Sequence, residues 1–243
     1  MKYAGSDILD TLPPGAVGGP VEAQVPALPF CGLALIGEAP GRDEVAQGSP
    51  FAGARGDKLD TLLARAGLER GACLVADVFR YRPTGNHIGS FFAADARARA
   101  EGLRTNPRLP PYRGGRCVAP HDEDVRTLWR LLRQFQPRAI LAMGDTALWA
   151  LSWQSGVARL AGQQLATRAC DATVVATWHP AAFLRRESPD EEAAFLAHLR
   201  LAGRLAGALP AADPWSGGPA HAGPAPAGIV FANPPSSTGS ISG

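Results

Sequence analysis

Apolar runs and turn residues alternate along the middle of the chain in an order that predicts strands followed by helices. Leu33–Ile36 is an unbroken apolar run between Gly32 and Gly37, the pattern of a short strand buried on both faces. Asp57–Ala66 places Leu59, Leu62, Leu63 and Ala66 at helical spacing and is stopped by Gly67. Cys73–Phe79 reads as a second strand, ended by Arg82-Pro83. His121–Phe135 carries Val125, Leu128, Trp129, Leu131 and Leu132 at helical spacing and ends before Pro137. Ala139–Met143 is a third strand stopped by Gly144, with a helix over Asp145–Leu151. Ala172–Thr177 is a fourth strand, and Glu191–Leu205 a closing helix. Strands that alternate with helices join by crossovers, so the predicted fold is α/β: a three-layer αβα sandwich around a central, mostly parallel four-stranded sheet. Ligands of such sheets bind beyond the carboxyl ends of the strands. Three chemistry-rich segments fall there, at 37–53, 77–85 and 179–186.

The flanks read differently. Residues 1–28 are rich in Pro, Gly and Ala, with a short helical possibility at Ser6–Leu12, and are expected to be flexible. Residues 208–243 have the Pro-, Gly- and Ser-rich composition of a disordered tail. The domain between them, 29–207, is interrupted at 86–120 by an insertion. It holds Phe91, Phe92 and Tyr112 and has no clear period apart from a possible helix at Ala93–Gly102. A long irregular loop beside a strand-end site is either functional or disordered.

At 243 residues and 46% hydrophobic, the chain has enough apolar material for a sizeable core. Its net charge is only +2, but the positive side is nearly all arginine: Lys2 and Lys58 are the only lysines, while Arg97, Arg99, Arg104, Arg108, Arg113 and Arg116 crowd the insertion. Arginine suits bidentate contact with phosphate, so a polyanionic partner is one reading and a solvated surface is the other. The four cysteines are widely separated without a C-x-x-C pair, which argues against a disulfide framework. Cys117 and His121 lack further partners for a metal site. No metal and no cofactor are expected. No run is long and apolar enough to span a membrane, so the expected location is the cytoplasm, without a membrane partner.

The most informative stretch is the loop behind the first strand. Gly37-Glu38-Ala39-Pro40-Gly41 leads to Glu44, Pro50, Phe51 and Gly53, bringing backbone N–H groups, a carboxylate and an aromatic face into one small space. That set suits gripping a flat ring with polar edges. The glycines do not make the G-x-G-x-x-G of a dinucleotide fold.

Gly37–Gly53, written Gly-Glu-Ala-Pro-Gly-x-x-Glu-x-x-x-Gly-x-Pro-Phe-x-Gly, resembles the first motif of the family 4 group of the uracil-DNA glycosylase superfamily. Val75–Asn86 resembles that family's second segment, and Trp178–Arg185 its last motif, in the family's order over roughly residues 30–207. The resemblance implies a monofunctional glycosylase that flips a base out of DNA and hydrolyses its N-glycosidic bond. Phe51 would then stack on the base, and the Glu38 and Ala39 backbone would meet a pyrimidine carbonyl. His179 would donate to O2, and Glu44 would orient or activate water. Leu184, Arg185 and Arg186 would enter the vacated stack and hold phosphates. The partner implied is DNA, double-stranded with a flipped base or single-stranded, and the protein would act as a monomer.

Two departures from the family pattern matter. The family usually carries an iron–sulfur cluster on four cysteines, one of them in the second segment, where this chain has Tyr81. No cluster is expected. The family's uracil-reading asparagine is replaced by Asp77. An ionised aspartate has no donor for uracil O4, whereas a carboxyl sharing one proton with cytosine N3 accepts from N4–H and completes a pair. A protonated Asp77 could also imitate asparagine. The first case implies a modified cytosine, for instance a glucosylated hydroxymethylcytosine of phage DNA, because excising ordinary cytosine would damage the host genome. The second implies a repair enzyme for uracil or hypoxanthine. A base-holding DNA module without catalysis is a third reading.

Overall fold

The computed structural model describes residues 12–181 and 188–211, all of which fall in one compact unit. In chain order its elements are β1 (Ala16–Val17), β2 (Leu33–Gly37), α1 (Arg42–Gln47), α2 (Ala54–Ala66), β3 (Leu74–Asp77), β4 (Arg82–Pro83), β5 (Phe92–Ala93), α3 (Asp95–Glu101), β6 (Arg116–Cys117), α4 (His121–Phe135), β7 (Ala139–Met143), α5 (Asp145–Ser152), α6 (Val157–Leu160), β8 (Gln164–Ala166), β9 (Thr173–Thr177) and α7 (Pro189–Leu205). Short 3-10 turns lie between some of them.

The central sheet has the order β3-β2-β7-β9-β8, in which β8 alone runs antiparallel to its neighbour. The expected sheet had four strands, and β8 is the addition. It is three residues long, partly exposed and paired on one side only, so it lacks the apolar run that marks its neighbours. The inner strands alternate between two cores. Ala34, Ile36, Ile140 and Ala142 face α4 and α5, packing with Val125, Leu128, Leu132 and Trp149. Leu33, Leu35, Leu141 and Met143 face α2 and α7, packing with Leu59, Leu62, Phe195 and Leu199. Both faces of the sheet are covered, which is why its strands read as continuous apolar runs.

The insertion is folded. Ile88, Phe91, Phe92, Leu109, Tyr112 and Cys117 enter the same core as α4 and α5, and β5 pairs antiparallel with β6. Trp149 of α5 stacks on Tyr112 at 5.3 Å and donates from Nε1 to the Pro110 carbonyl at 3.0 Å. The described part of the N-terminal segment lies on the domain as well. Gln24 and Val75 exchange backbone hydrogen bonds of 2.8 and 3.0 Å on the open edge of β3, and β1 pairs with β4. The helix expected at Ser6–Leu12 falls almost wholly outside the described residues, as does nearly all of the predicted tail.

After β2 the chain moves to β3 on one side and returns to β7 on the other. The carboxyl ends of β2 and β7 therefore border a topological switch point, where open α/β sheets form their clefts.

Candidate functional site

A cleft of about 510 Å³ opens at that switch point, lined by Glu38, Ala39, Pro40, Gly41, Arg55, Pro83, Asn86, Met143, Gly144, His179 and Ala181. It draws together the ends of β2, β7 and β9 with the start of α2 and the loop after β3. Of the predicted residues, Glu38, Ala39 and His179 line it directly.

Gly37 ends β2 just before the lining residues Glu38–Gly41. Parallel pairing sets Gly37 beside Asp77, and the ladder continues through Val78 N–H to the Gly37 carbonyl at 3.1 Å and Phe79 N–H to the Glu38 carbonyl at 3.1 Å. A Cβ at Gly37 would collide with Asp77 Oδ1 and stand 2.6 Å from Phe51 Cζ. Only a bare Cα leaves room for the carboxyl and the ring at this position.

Phe51 is buried, with its backbone in the left-handed region at φ 50°. A phenylalanine is costly there and persists when its surroundings fix it. Arg70 supplies that fixation, donating to the Pro50 carbonyl at 2.6 Å and the Phe51 carbonyl at 3.2 Å. Gly56 leaves room, since a Cβ would strike the Phe51 carbonyl. The Phe51 ring lies nearly parallel to the His179 imidazole, 17° apart with centroids 5.7 Å apart. The Ala181 backbone N–H donates to His179 Nδ1 at 3.2 Å. Nδ1 is thus the acceptor, and the neutral ring carries its proton on Nε2 as a donor.

Glu44 sits in the first turn of α1, buried, and accepts from the Gly41 N–H at 2.9 Å, the reciprocal half of a helix cap. Arg55 Nη2 lies 3.7 Å from Glu44 Oε2. Asp77 keeps some surface toward solvent, yet its carboxyl is desolvated. Burial first, then the charges of Glu44 and Glu38, push it up to about 8 against the pull of Arg55. At neutral pH it is mostly a protonated acid, with both a donor and an acceptor. Glu38 accepts from Thr146 Oγ1 at 2.5 Å, and Thr146 in turn contacts Tyr112 Oη at 3.1 Å.

Arg55, Asn86 and Thr146 are site residues that sequence reasoning did not single out. Arg55 follows the glycine loop so closely that its place in the motif was a usable signal. Thr146 gave none, because only folding brings α5 against Glu38. Leu184, Arg185 and Arg186 lie outside the described residues. The cysteines do not suit a four-cysteine iron–sulfur cluster: Cys31 and Cys73 are adjacent at 3.7 Å, and no group of three or more metal-ligating side chains occurs among the described residues. His121, four residues beyond Cys117, is buried against Phe91 and contacts the Pro14 carbonyl at 2.7 Å.

Comparison with known proteins gives two results. A family model described as the uracil DNA glycosylase superfamily matches residues 29–200. Two relatives, each called type-4 uracil-DNA glycosylase, are similar over a shorter stretch. That of Archaeoglobus fulgidus is 44% identical over 54 residues, 22% of this chain and 27% of the relative. That of Pyrobaculum aerophilum is 42% identical over 55 residues, 23% of this chain and 28% of the relative. The matched stretch thus spans little more than a quarter of either relative.

Proposed function

Because the chain belongs to the uracil DNA glycosylase superfamily, we propose that it is a DNA glycosylase acting on a flipped pyrimidine, most specifically a modified cytosine. The observation that carries the reading is the convergence of Phe51 and Asp77 on the bare Cα of Gly37, with the His179 imidazole lying nearly parallel to the Phe51 ring. A base on the Phe51 ring would meet Asp77 with one polar edge and the His179 donor with its O2. Water attacks C1′, the C1′–N1 bond breaks, and its electron pair passes to the base. The resulting charge on O2 is stabilised by His179 Nε2–H and the backbone of the Glu38–Ala39 turn. Glu44 accepts the proton released by the attacking water and opposes the positive charge on the sugar. Flipping is required because C1′ and O2 cannot be approached within a stacked duplex.

A neutral Asp77 supports the cytosine assignment. Its O–H donates to N3, and its other oxygen accepts from N4–H, with the proton already on the protein rather than drawn from solvent. A cleft of about 510 Å³ has the size of pockets that take drug-sized ligands, which span roughly 300–1,000 Å³, so it offers space for a bulky substituent on the base. The same protonation favours a second reading. With its proton on the other oxygen, a neutral acid accepts from uracil N3–H and donates to O4, as asparagine does, which suits a uracil or hypoxanthine repair enzyme.

The deciding experiment is an oligonucleotide panel bearing uracil, hypoxanthine, cytosine, hydroxymethylcytosine and glucosylated hydroxymethylcytosine, scored by alkali-labile abasic sites under single-turnover conditions. Release of the modified cytosines but not of matched cytosine is expected. Equal release of uracil overturns the substrate assignment. Tight binding without release from any member makes the protein a base-holding module.

A further inference from the structure

Glu38 faces the cleft from one side and a buried polar chain from the other, and that chain runs into the insertion. Thr146 is fully buried in the first turn of α5, and its hydroxyl donates to Glu38 Oε2 at 2.5 Å. A threonine hydroxyl has one proton, so the 3.1 Å contact between Thr146 Oγ1 and Tyr112 Oη must be donated by the phenol. The order is therefore Tyr112 to Thr146 to Glu38, each hydroxyl polarised by the next toward the carboxylate.

Tyr112 is held firmly enough to act this way. Its ring stacks on Trp149 at 5.3 Å and meets Phe92 edge-on at 5.3 Å. Its backbone closes a tight turn with Gly115 through bonds of 2.8 and 3.1 Å. Gly115 must lack a side chain there, because a Cβ would strike the Ala93 backbone. Burial also pushes the Tyr112 phenol above its ordinary range, which keeps it a donor.

We infer that Tyr112 and Thr146 are positioning residues for Glu38, a buried hydroxyl relay through which the insertion at 86–120 fixes the loop that grips the base. The relay turns the Glu38 carboxylate onto the amino-terminal turn of α5, where the helix dipole favours negative charge. It thereby holds that charge away from the departing base and fixes the Gly37–Ala39 backbone. This inference rests on the proposed glycosylase reading for its purpose, but not for its test.

The test uses four variants: Thr146→Val, which keeps the shape and removes the hydroxyl; Thr146→Ser, which keeps the hydroxyl; Tyr112→Phe; and the double variant Thr146→Val/Tyr112→Phe. Amide hydrogen exchange of the segment spanning residues 33–41 is followed by mass spectrometry on the full chain. Thr146→Val is expected to speed exchange by roughly three- to tenfold, Thr146→Ser to match wild type, and Tyr112→Phe to lie between. Because the relay is serial, the double variant should equal Thr146→Val alone. Unchanged exchange in Thr146→Val, or effects that add in the double variant, overturn the relay. With the best substrate of the panel, the single-turnover rate should fall about tenfold in Thr146→Val and recover in Thr146→Ser. Absence of base release by the wild type counts against the glycosylase reading and leaves the exchange result to decide the relay.

Discussion

Replacing Asp77 with asparagine removes a carboxyl whose ionisation the folded protein resists, and the size of that resistance follows from its surroundings. Burial, reinforced by Glu44 and Glu38, raises the group from 3.8 to about 8, even with Arg55 opposing. The unfolded chain gives up this proton near pH 4 and the folded protein holds it to about pH 8. Between those limits the folded state binds more protons, so the contribution of Asp77 to stability declines as pH rises and is flat outside the window. A rise of about four units, at roughly 1.4 kcal/mol each, gives a ceiling near 6 kcal/mol. The surroundings of a newly charged buried group relax and respond as a medium far more polarisable than dry protein, so a working value of about 1–3 kcal/mol is more realistic.

Asparagine has no ionisation to resist. D77N and wild type should therefore melt closest together near pH 4, with D77N progressively higher up to pH 9. The gap there should be about 2–12 °C, using roughly 2–4 °C per kcal/mol for a domain of this size. Thermal melts of the pair at pH 5, 7 and 9 measure it. Base release by the wild type should decline as pH rises through about 8, while D77N shows no such limb and gains uracil activity. A melting gap independent of pH, or a D77N protein less stable than wild type at pH 9, refutes the neutral-acid account of this site.

Arg55→Gln should move the high-pH limb of wild-type base release upward, because Arg55 opposes the rise at Asp77; a limb that stays or moves down contradicts that arrangement. Glu44→Gln keeps an acceptor for the Gly41 N–H, so the melting temperature should hold while the single-turnover rate falls by about 100-fold or more. An unchanged rate would reduce Glu44 to a helix cap. Phe51→Leu should weaken binding to a substrate duplex by roughly 10- to 100-fold, measured in the Glu44→Gln background to prevent turnover, since stacking on an aromatic ring contributes about 1–3 kcal/mol per base. Cys31 should be alkylated by iodoacetamide at pH 7 well before Cys73, because the Cys73 thiol hydrogen-bonds to it and holds it down at about 6 while Cys73 is pushed up; mass spectrometry of the two peptides reads the order.

The inner strands were legible because burial on both faces forces consecutive apolar residues, and Ala139–Met143 matches its expected bounds residue for residue. Helix α4 was equally legible, since one polar and one apolar face repeat over fifteen residues. Strand β8 was hidden by its short, half-exposed edge position. The insertion was hidden for a different reason: Phe91, Phe92 and Tyr112 bury through irregular backbone, so their spacing carries no period. In the site, the glycine loop was visible because its backbone demands leave a mark on the sequence. Gly37 must be bare for Asp77 and Phe51 to meet. Thr146 leaves no such mark, because its role arises only when α5 packs against the ends of the strands.

The charge layout bears on how a site with three clustered acids would tolerate the polyanion of the proposed function. Glu44 and Glu38 both act on the desolvated Asp77 carboxyl, with Arg55 as the opposing cation. Three ionised carboxylates there would repel each other and any entering nucleotide. The structure relieves this in three distinct ways. Glu38 is drawn onto the amino-terminal turn of α5 through Thr146, Glu44 is bound to the Gly41 N–H and faced by Arg55, and Asp77 retains its proton. One acid is neutral, while the other two keep fixed partners. If substrate specificity depends on Asp77 being neutral, it depends chiefly on the burial of that carboxyl and then on the charges of Glu44 and, least, Glu38, whose fields help to keep the proton in place. On the proposed reading, contact of Asp77 with the base and activation of water by Glu44 are electrostatically linked, and altering Glu44 should shift the pH dependence set by Asp77 downward as well as slow the reaction.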